Sequence, residues 1–152
     1  MIQRCLVHAQ RVIRRYTTSR PRTDAGKTIY ALALKLTRVT TLDQTRGWTL
    51  RLHGFGQVFK TFLNEKTSVA KERRTLNNQW EWTHLRVRKA YNSLLHLSRN
   101  NWLFTYLKPP PNVPDPKRWA STTNSLEGGI NARLKRIADA HRGRSGERQR
   151  KM

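Results

Sequence analysis

Five of the six prolines in this chain fall in one eight-residue stretch, Pro109-Pro110-Pro111-Asn112-Val113-Pro114-Asp115-Pro116. A proline has no N–H to donate and its ring fixes φ near about −65°, so such a stretch can be neither helix nor inner strand. It is expected as a stiff, extended connection of polyproline type. On its N-terminal side only Pro21 interrupts more than a hundred residues, which leaves that part free to build long helices.

The N-terminal part reads mainly as helix. Ile2 to Val7, with Ile2, Leu6 and Val7 apolar, is expected as a short strand, and a helix follows to Tyr16. Arg20 to Gly26 punctuates the chain as a loop. Ile29, Leu32, Ala33 and Leu36 recur at helical spacing and predict a helix from Lys27 to Val39. Thr41 and Gln44 form a T-x-x-Q capping box, so a further helix is expected to start near Leu42. It would carry Trp48, Leu52, Phe55, Phe59, Phe62 and Leu63, weakened by Gly54 and Gly56 at about 1 kcal/mol each relative to alanine. Glu65 to Gln79 is polar and expected as an exposed connection. Trp80 to Arg99 reads as another helix with Trp82, Leu85, Tyr91, Leu94 and Leu95 buried, followed by a short apolar run from Trp102 to Leu107. Beyond the prolines, Ser121 to Ala140 is the best helical segment, and His141 to Met152 is a basic tail. The expected fold class is mainly α, with little sheet.

Charge narrows the function. Lys and Arg number 31 against 9 acids, a net +22. Such a surplus repels itself in a compact body, so a polyanionic partner is implied. The cations run from Arg4 to Lys151 rather than forming one arm, which favours a nucleic-acid-binding body. Membrane-surface binding would need a helix with a wholly basic face opposite a strong apolar one, and none is seen. No apolar run approaches the roughly 20 residues that span a bilayer, and the basic N-terminus lacks the rest of a signal peptide. The single cysteine, Cys5, excludes an internal disulfide and suits a reducing compartment. A cytoplasmic, nucleoid-associated location is expected.

The segment Ser121 to Arg136 holds the best candidate for chemistry. At about 100° per residue, Leu126, Ile130, Leu134 and Ile137 make one apolar stripe. Glu127 lies at its edge, with Asn124, Asn131 and Lys135 on the same side. A carboxylate at the border of a buried face can ligate a divalent cation if other acids converge on it. Equally, Asn124 and Glu127 form an N-x-x-E capping box, in which Glu127 only completes the helix start.

Thr123-Asn124-x-x-Glu127-x-x-x-Asn131, followed by Lys135 and Arg136, resembles the segment that holds the final catalytic Glu in Mutator-like bacterial insertion-sequence transposases. At the other end, Gln3-Arg4-Cys5-Leu6-Val7-His8 resembles the Q-R-C-x-x-H signature that follows the second catalytic Asp of that family. Trp82-Thr83-His84-Leu85-Arg86 and Leu103-Phe104-Thr105-Tyr106-Leu107 are similar to one branch of it. The resemblance spans nearly the whole chain and keeps the family's order. It implies a ribonuclease-H-like domain that holds two Mg²⁺ ions on three acids and cleaves and joins DNA strands. Glu127 would be catalytic and a metal ligand. Arg133, Lys135 and Arg136, by charge and proximity, would lie near the DNA backbone. Cys5, His8, Asn124 and Asn131 would neighbour the site, and Trp82, within the helical insertion typical of these enzymes, would stack on a displaced base.

The family's two Asp residues precede its Cys-x-x-His signature, and only four residues precede Cys5 here. Asp24, Asp43, Asp115 and Asp139 occupy none of the family positions. The expectation is therefore a C-terminal part of such a transposase. It would comprise a core remnant (1–20), a helical insertion (21–108), the proline connection (109–118) and the catalytic-Glu helix with its tail (119–152). One carboxylate holds Mg²⁺ poorly, so the chain alone is expected to be inactive. DNA is the expected partner, with full-length transposase or a second copy as further ones. The alternative is a non-enzymatic basic nucleic-acid-binding protein or a regulator of an intact transposase.

Three further features complete the picture. Cys5 and His8 have metal-like spacing, but two ligands make no structural zinc site, and they read better as a buried contact or active-site neighbours. Of the tryptophans at 48, 80, 82, 102 and 119, most are expected in the core. The tail from Arg142 to Lys151 would be solvated and add salt-sensitive DNA affinity.

Overall fold

The computed structural model describes residues 3–70, 73–74, 79–108, 111 and 131–140. The chain divides into two units between residues 121 and 122. The fold is mainly helical, as the periodicity implied.

In the first unit, α1 (Leu6–Thr17) buries Leu6, Ala9, Ile13 and Thr17, the i, i+3/i+4 stripe of an amphipathic helix. The strand expected at Ile2–Val7 is corrected here. Leu6 and Val7 belong to the first turn of α1, because Leu6 completes its helical stripe, and Ile2 lies outside the described residues. Gln3 and Arg4 instead bind the loop beyond the last helix of this unit. The Arg4 N–H donates to the Trp102 carbonyl at 2.7 Å. The Gln3 amide donates to Leu103 O at 2.8 Å and accepts from the Tyr106 N–H at 3.1 Å and from the Thr105 hydroxyl.

Helix α2 (Asp24–Leu34) starts three residues earlier than expected, because Thr23 caps it. The Gly26 N–H donates to Thr23 Oγ1 at 3.1 Å, and Asp24 faces the helix dipole. It ends at Leu34, and a 3-10 turn, Leu36–Arg38, brings Leu36 and Val39 into the core. Helix α3 (Leu42–Val58) starts where the capping box placed it. The Gln44 N–H donates to Thr41 Oγ1 at 3.2 Å, while Gln44 Oε1 accepts from the Thr40 N–H at 2.7 Å, one residue before the usual partner. Both glycines are tolerated inside it. A Cβ on Gly56 would lie 2.1 Å from the Tyr91 hydroxyl, so that glycine permits a close helix approach.

The single long helix expected through Leu63 is broken. Phe59, at φ −99° and ψ 19°, separates α3 from the one-turn α4 (Lys60–Asn64). The polar stretch after it is no plain connection either. Lys66–Ser68 (β1) pairs antiparallel with Trp80–Trp82 (β2), placing Lys66 opposite Trp82 and Ser68 opposite Trp80. Val69 is buried beside this hairpin. The helix expected from Trp80 therefore begins only at Leu85, as α5 (Leu85–Arg99). Aromatic residues alternating with a polar one prefer the pleated pairing over the helix.

Helix α5 buries Ala90, Leu94 and Leu95, with Tyr91 half-buried. Leu85 and Trp82 were expected inside, but Leu85 is exposed and Trp82 only half-buried. Helix α5 lies antiparallel against α1. At one end the Arg86 guanidinium donates to the carbonyls of Arg15 and Tyr16 at 2.8 and 3.0 Å, capping the C-terminus of α1. At the other, Trp102 meets Arg4. Trp48 is the buried aromatic centre: its indole N–H donates to Leu32 O at 3.0 Å, and Phe104 meets it edge-on. The tryptophans otherwise depart from expectation, with Trp80 61% exposed and Trp102 half-buried. Tyr106 donates to Val39 O, and burial raises its pKa above the usual value.

The second unit contributes α6 (Ala132–Ala140), within the segment expected as helix. Leu134 and Ile137, two of the four stripe residues, are exposed. Leu126, Ile130 and Trp119 lie outside the described residues.

Candidate nucleic-acid interface

The antiparallel pair α1 and α5 builds a basic face of the first unit. His8, Arg11 and Arg15 recur at i, i+3 and i+7, which keeps them within about 60° on one side of α1; Arg4 lies just before the helix, and all four are exposed. On α5, Lys89, Asn92, His96 and Arg99 make the parallel row and are exposed as well. No carboxylate occurs before Asp24 or between residues 82 and 114. Both helices are therefore free of acids, and nothing within them neutralises the two rows. Arg4 also places its guanidinium over the Trp102 ring at 5.7 Å, which His96 meets edge-on.

A groove of about 560 Å³ runs between the rows. Cys5, Ala9, Val12 and Leu97 supply its apolar floor, and Arg4, His8, Lys89 and His96 stand at its edges. The Cys5–His8 pair thus lies at one end of this basic face. Of the pair expected as a buried contact or as active-site neighbours, Cys5 is half-buried and His8 is exposed. One helical turn separates the two, and Cys5 precedes the first residue of α1. Gln3, which is part of the same signature, was given no role from sequence; it fastens this corner to the loop at 103–106.

The β1–β2 hairpin adds an aromatic, basic surface. Trp80 and Trp82 point to the same side of β2, as alternate strand residues must, together with Lys66. Arg88 reaches over the Trp82 ring at 3.8 Å and Lys66 at 4.9 Å. The Arg88 guanidinium also donates to Leu63 O and Asn64 Oδ1 at 2.9 and 2.8 Å. These contacts hold Trp82 in place and occupy its π-face. Trp80, which sequence reasoning passed over, is the open ring. The signal that would have found it is the Trp-Glu-Trp alternation, a strand pattern read there as helix.

At the root of the hairpin, His84 stacks on Phe62 with ring centroids 3.6 Å apart. It also meets Glu65 Oε2 at 3.0 Å.

In the second unit, Asn131 directly precedes α6 and is exposed, as are Arg133, Lys135 and Arg136. Their angular positions separate them. Arg133 and Arg136 lie about 60° apart, whereas Lys135 is about 160° from Arg133 and shares its side with Asn131. Glu127 and Asn124 lie outside the described residues.

Asp24 pairs with Lys27 at 3.1 Å, Asp43 with Arg46 at 3.3 Å and Glu65 with His84. Among the described residues no three His, Cys, Asp or Glu groups converge. No described helix is long and apolar enough to cross a membrane. Comparison with protein-family models, curated proteins and solved structures finds no match.

Proposed function

We propose that this chain acts in DNA transposition, as the DNA-binding C-terminal part of a Mutator-like, acidic-triad transposase. The observation that carries the DNA-binding half is the α1/α5 face, built from two helices that contain no carboxylate, with Arg4, Arg11, Arg15, Lys89 and Arg99 exposed around a groove between them. Exposed cations of this kind contact the phosphates of a duplex, and every neutralised phosphate releases counterions. The transposase half rests on the resemblance of Gln3 to His8 and of Thr123 to Asn131 to two family motifs in their family order. On this reading residues 21–108 are a helical insertion in a ribonuclease-H-like fold, and Glu127 is that domain's last metal ligand.

None of the chain's four aspartates stands at a position of the family's motifs, so the role proposed for the chain by itself is DNA binding. The α1/α5 rows would fix the duplex through its backbone, without reading sequence. Trp80 would supply a stacking surface for an unpaired base beside that track, with Trp82 as its anchored neighbour.

A chimera tests the transposase half. An intact family member has everything from its Cys-x-x-His signature onward replaced by this chain, and excision of its element is scored. Excision that disappears with Glu127→Ala supports the proposal; a folded, DNA-binding chimera without excision contradicts it. The non-enzymatic alternative keeps the same face and predicts DNA binding that Glu127→Ala leaves unchanged, with no chimera activity. Incubating the chain alone with duplex DNA and Mg²⁺ is expected to give no nicking.

A further inference from the structure

Away from the basic face, α2 and α3 enclose a second groove of about 540 Å³ with a different character. Its floor is apolar: Leu32 and Phe55 lie at the bottom, and Ala31 and Val58 form the walls. Val58 is 77% exposed, the most exposed large apolar side chain among the described residues, and Leu50 on the same helix is 71% exposed. Lys35 and Arg51 close one end and also border the adjoining cavity toward Arg38. Asp43, the carboxylate of that second cavity, is engaged by Arg46 at 3.3 Å. Neither Lys35 nor Arg51 has an ion-pair partner among the described residues.

An apolar trough that ends in unneutralised cations suits one kind of occupant. A phosphodiester strand would give the exposed Val58 no apolar cover and would desolvate its charges against the apolar floor. A second copy would bring a net +22 to a site that already carries cations, and this chain has only nine acids to offer. We infer that the α2/α3 groove docks an acidic amphipathic helix of a partner protein. Two apolar side chains on one face of that helix would fill the space over Ala31, Leu32 and Val58. Carboxylates about one turn further along would meet Lys35 and Arg51. From Thr28 to Lys35 the groove follows α2 for about 10 Å at 1.5 Å per residue, the length of two helical turns. Helix-in-groove recognition of this kind takes its affinity from the apolar anchors and its orientation from the charges. The inference does not depend on the transposase reading, because it uses neither Glu127 nor the α1/α5 face.

The test uses the full chain, labelled with ¹⁵N, and synthetic helical peptides of three to four turns. One peptide carries two leucines on one face and two glutamates a turn further on. The second is a scramble of the same composition, and the third has both leucines replaced by alanine. The first is expected to shift the amides of Ala31, Leu32, Lys35 and Val58, with the scrambled and alanine peptides binding about tenfold weaker or worse. Val58→Glu and Ala31→Glu should each abolish the effect while thermal melting and duplex-DNA binding stay unchanged. Lys35→Glu with Arg51→Glu should reverse the preference toward a lysine version of the peptide. Equal binding of the scramble would expose plain attraction to a cationic chain and overturn the inference. So would shifts confined to α1 and α5, displacement by duplex DNA at Val58, or self-association through Val58 in sedimentation.

Discussion

Removing four cations from the α1/α5 face should change the salt dependence of DNA binding by a calculable amount. The variant carries Arg11→Gln, Arg15→Gln, Lys89→Gln and Arg99→Gln, all at exposed positions. Each phosphate contact on duplex DNA contributes about 0.9 to the slope of log K against log salt, so four contacts contribute about 3.6. Referred to 1 M salt, that slope corresponds at about 0.1 M to an affinity loss of up to about 3.6 decades, or about 5 kcal/mol. A control with Lys27→Gln, Arg38→Gln, Arg46→Gln and Lys60→Gln removes the same net charge from other exposed positions. Its far field is matched, so only local contact distinguishes the two variants. Fluorescence anisotropy of a labelled duplex, titrated between about 50 and 200 mM salt, resolves the difference. The account predicts a much flatter slope for the face variant and a nearly parental slope for the control. Equal slopes in the two variants would refute the assignment of binding to this face and leave only diffuse attraction.

Two glycines in one helix should respond with opposite signs. Gly56→Ala drives a methyl into the Tyr91 hydroxyl and should cost about 1–3 kcal/mol, whereas Gly54→Ala meets nothing within 4 Å and should stabilise by up to about 1 kcal/mol; denaturant melts with both variants check this. Tyr106 has a folded-state pKa above its unfolded value, so its share of stability is intact below about pH 10 and is lost as pH rises through the folded pKa. Tyr106→Phe should remove that alkaline loss while costing about 1 kcal/mol at neutral pH for the hydrogen bond to Val39 O; melts at neutral and alkaline pH read both effects. Trp80→Ala should weaken binding of a single-stranded oligonucleotide by about 1–3 kcal/mol without moving the melting temperature. Trp82→Ala should lower that temperature instead, because Arg88 and Lys66 pack on the ring; the reverse pattern would sink the distinction.

What the sequence disclosed followed the range of the forces involved. Thr41 and Gln44 placed the start of α3 because a cap is satisfied within three residues. The stripes of Ile29, Leu32 and Ala33, and of Leu94 and Leu95, revealed helices because burial repeats with the helical turn. The hairpin was missed because Lys66 finds Trp82 across many intervening residues, and nothing local marks that pairing. The break at Phe59 was missed because its apolar neighbours keep a helical rhythm across the break. Cys5 and His8 were singled out as motif residues, but the face they border is made by antiparallel packing on α5. Arg86 and Gln3 hold that packing from its two ends through hydrogen bonds to backbone far away in sequence, which no local pattern marks. Glu127 and Asn124, the centre of the catalytic expectation, lie outside the described residues, and so does most of the proline segment.

Mapping duplex DNA onto the labelled chain residue by residue reads the interface most directly. With a short duplex of arbitrary sequence, the account predicts amide shifts and line broadening that converge on His8, Arg11, Arg15, Lys89, Asn92 and His96. Those changes should fade together as salt is raised. Perturbation confined to the tail beyond residue 140, or spread evenly over α2 and α3, would contradict it.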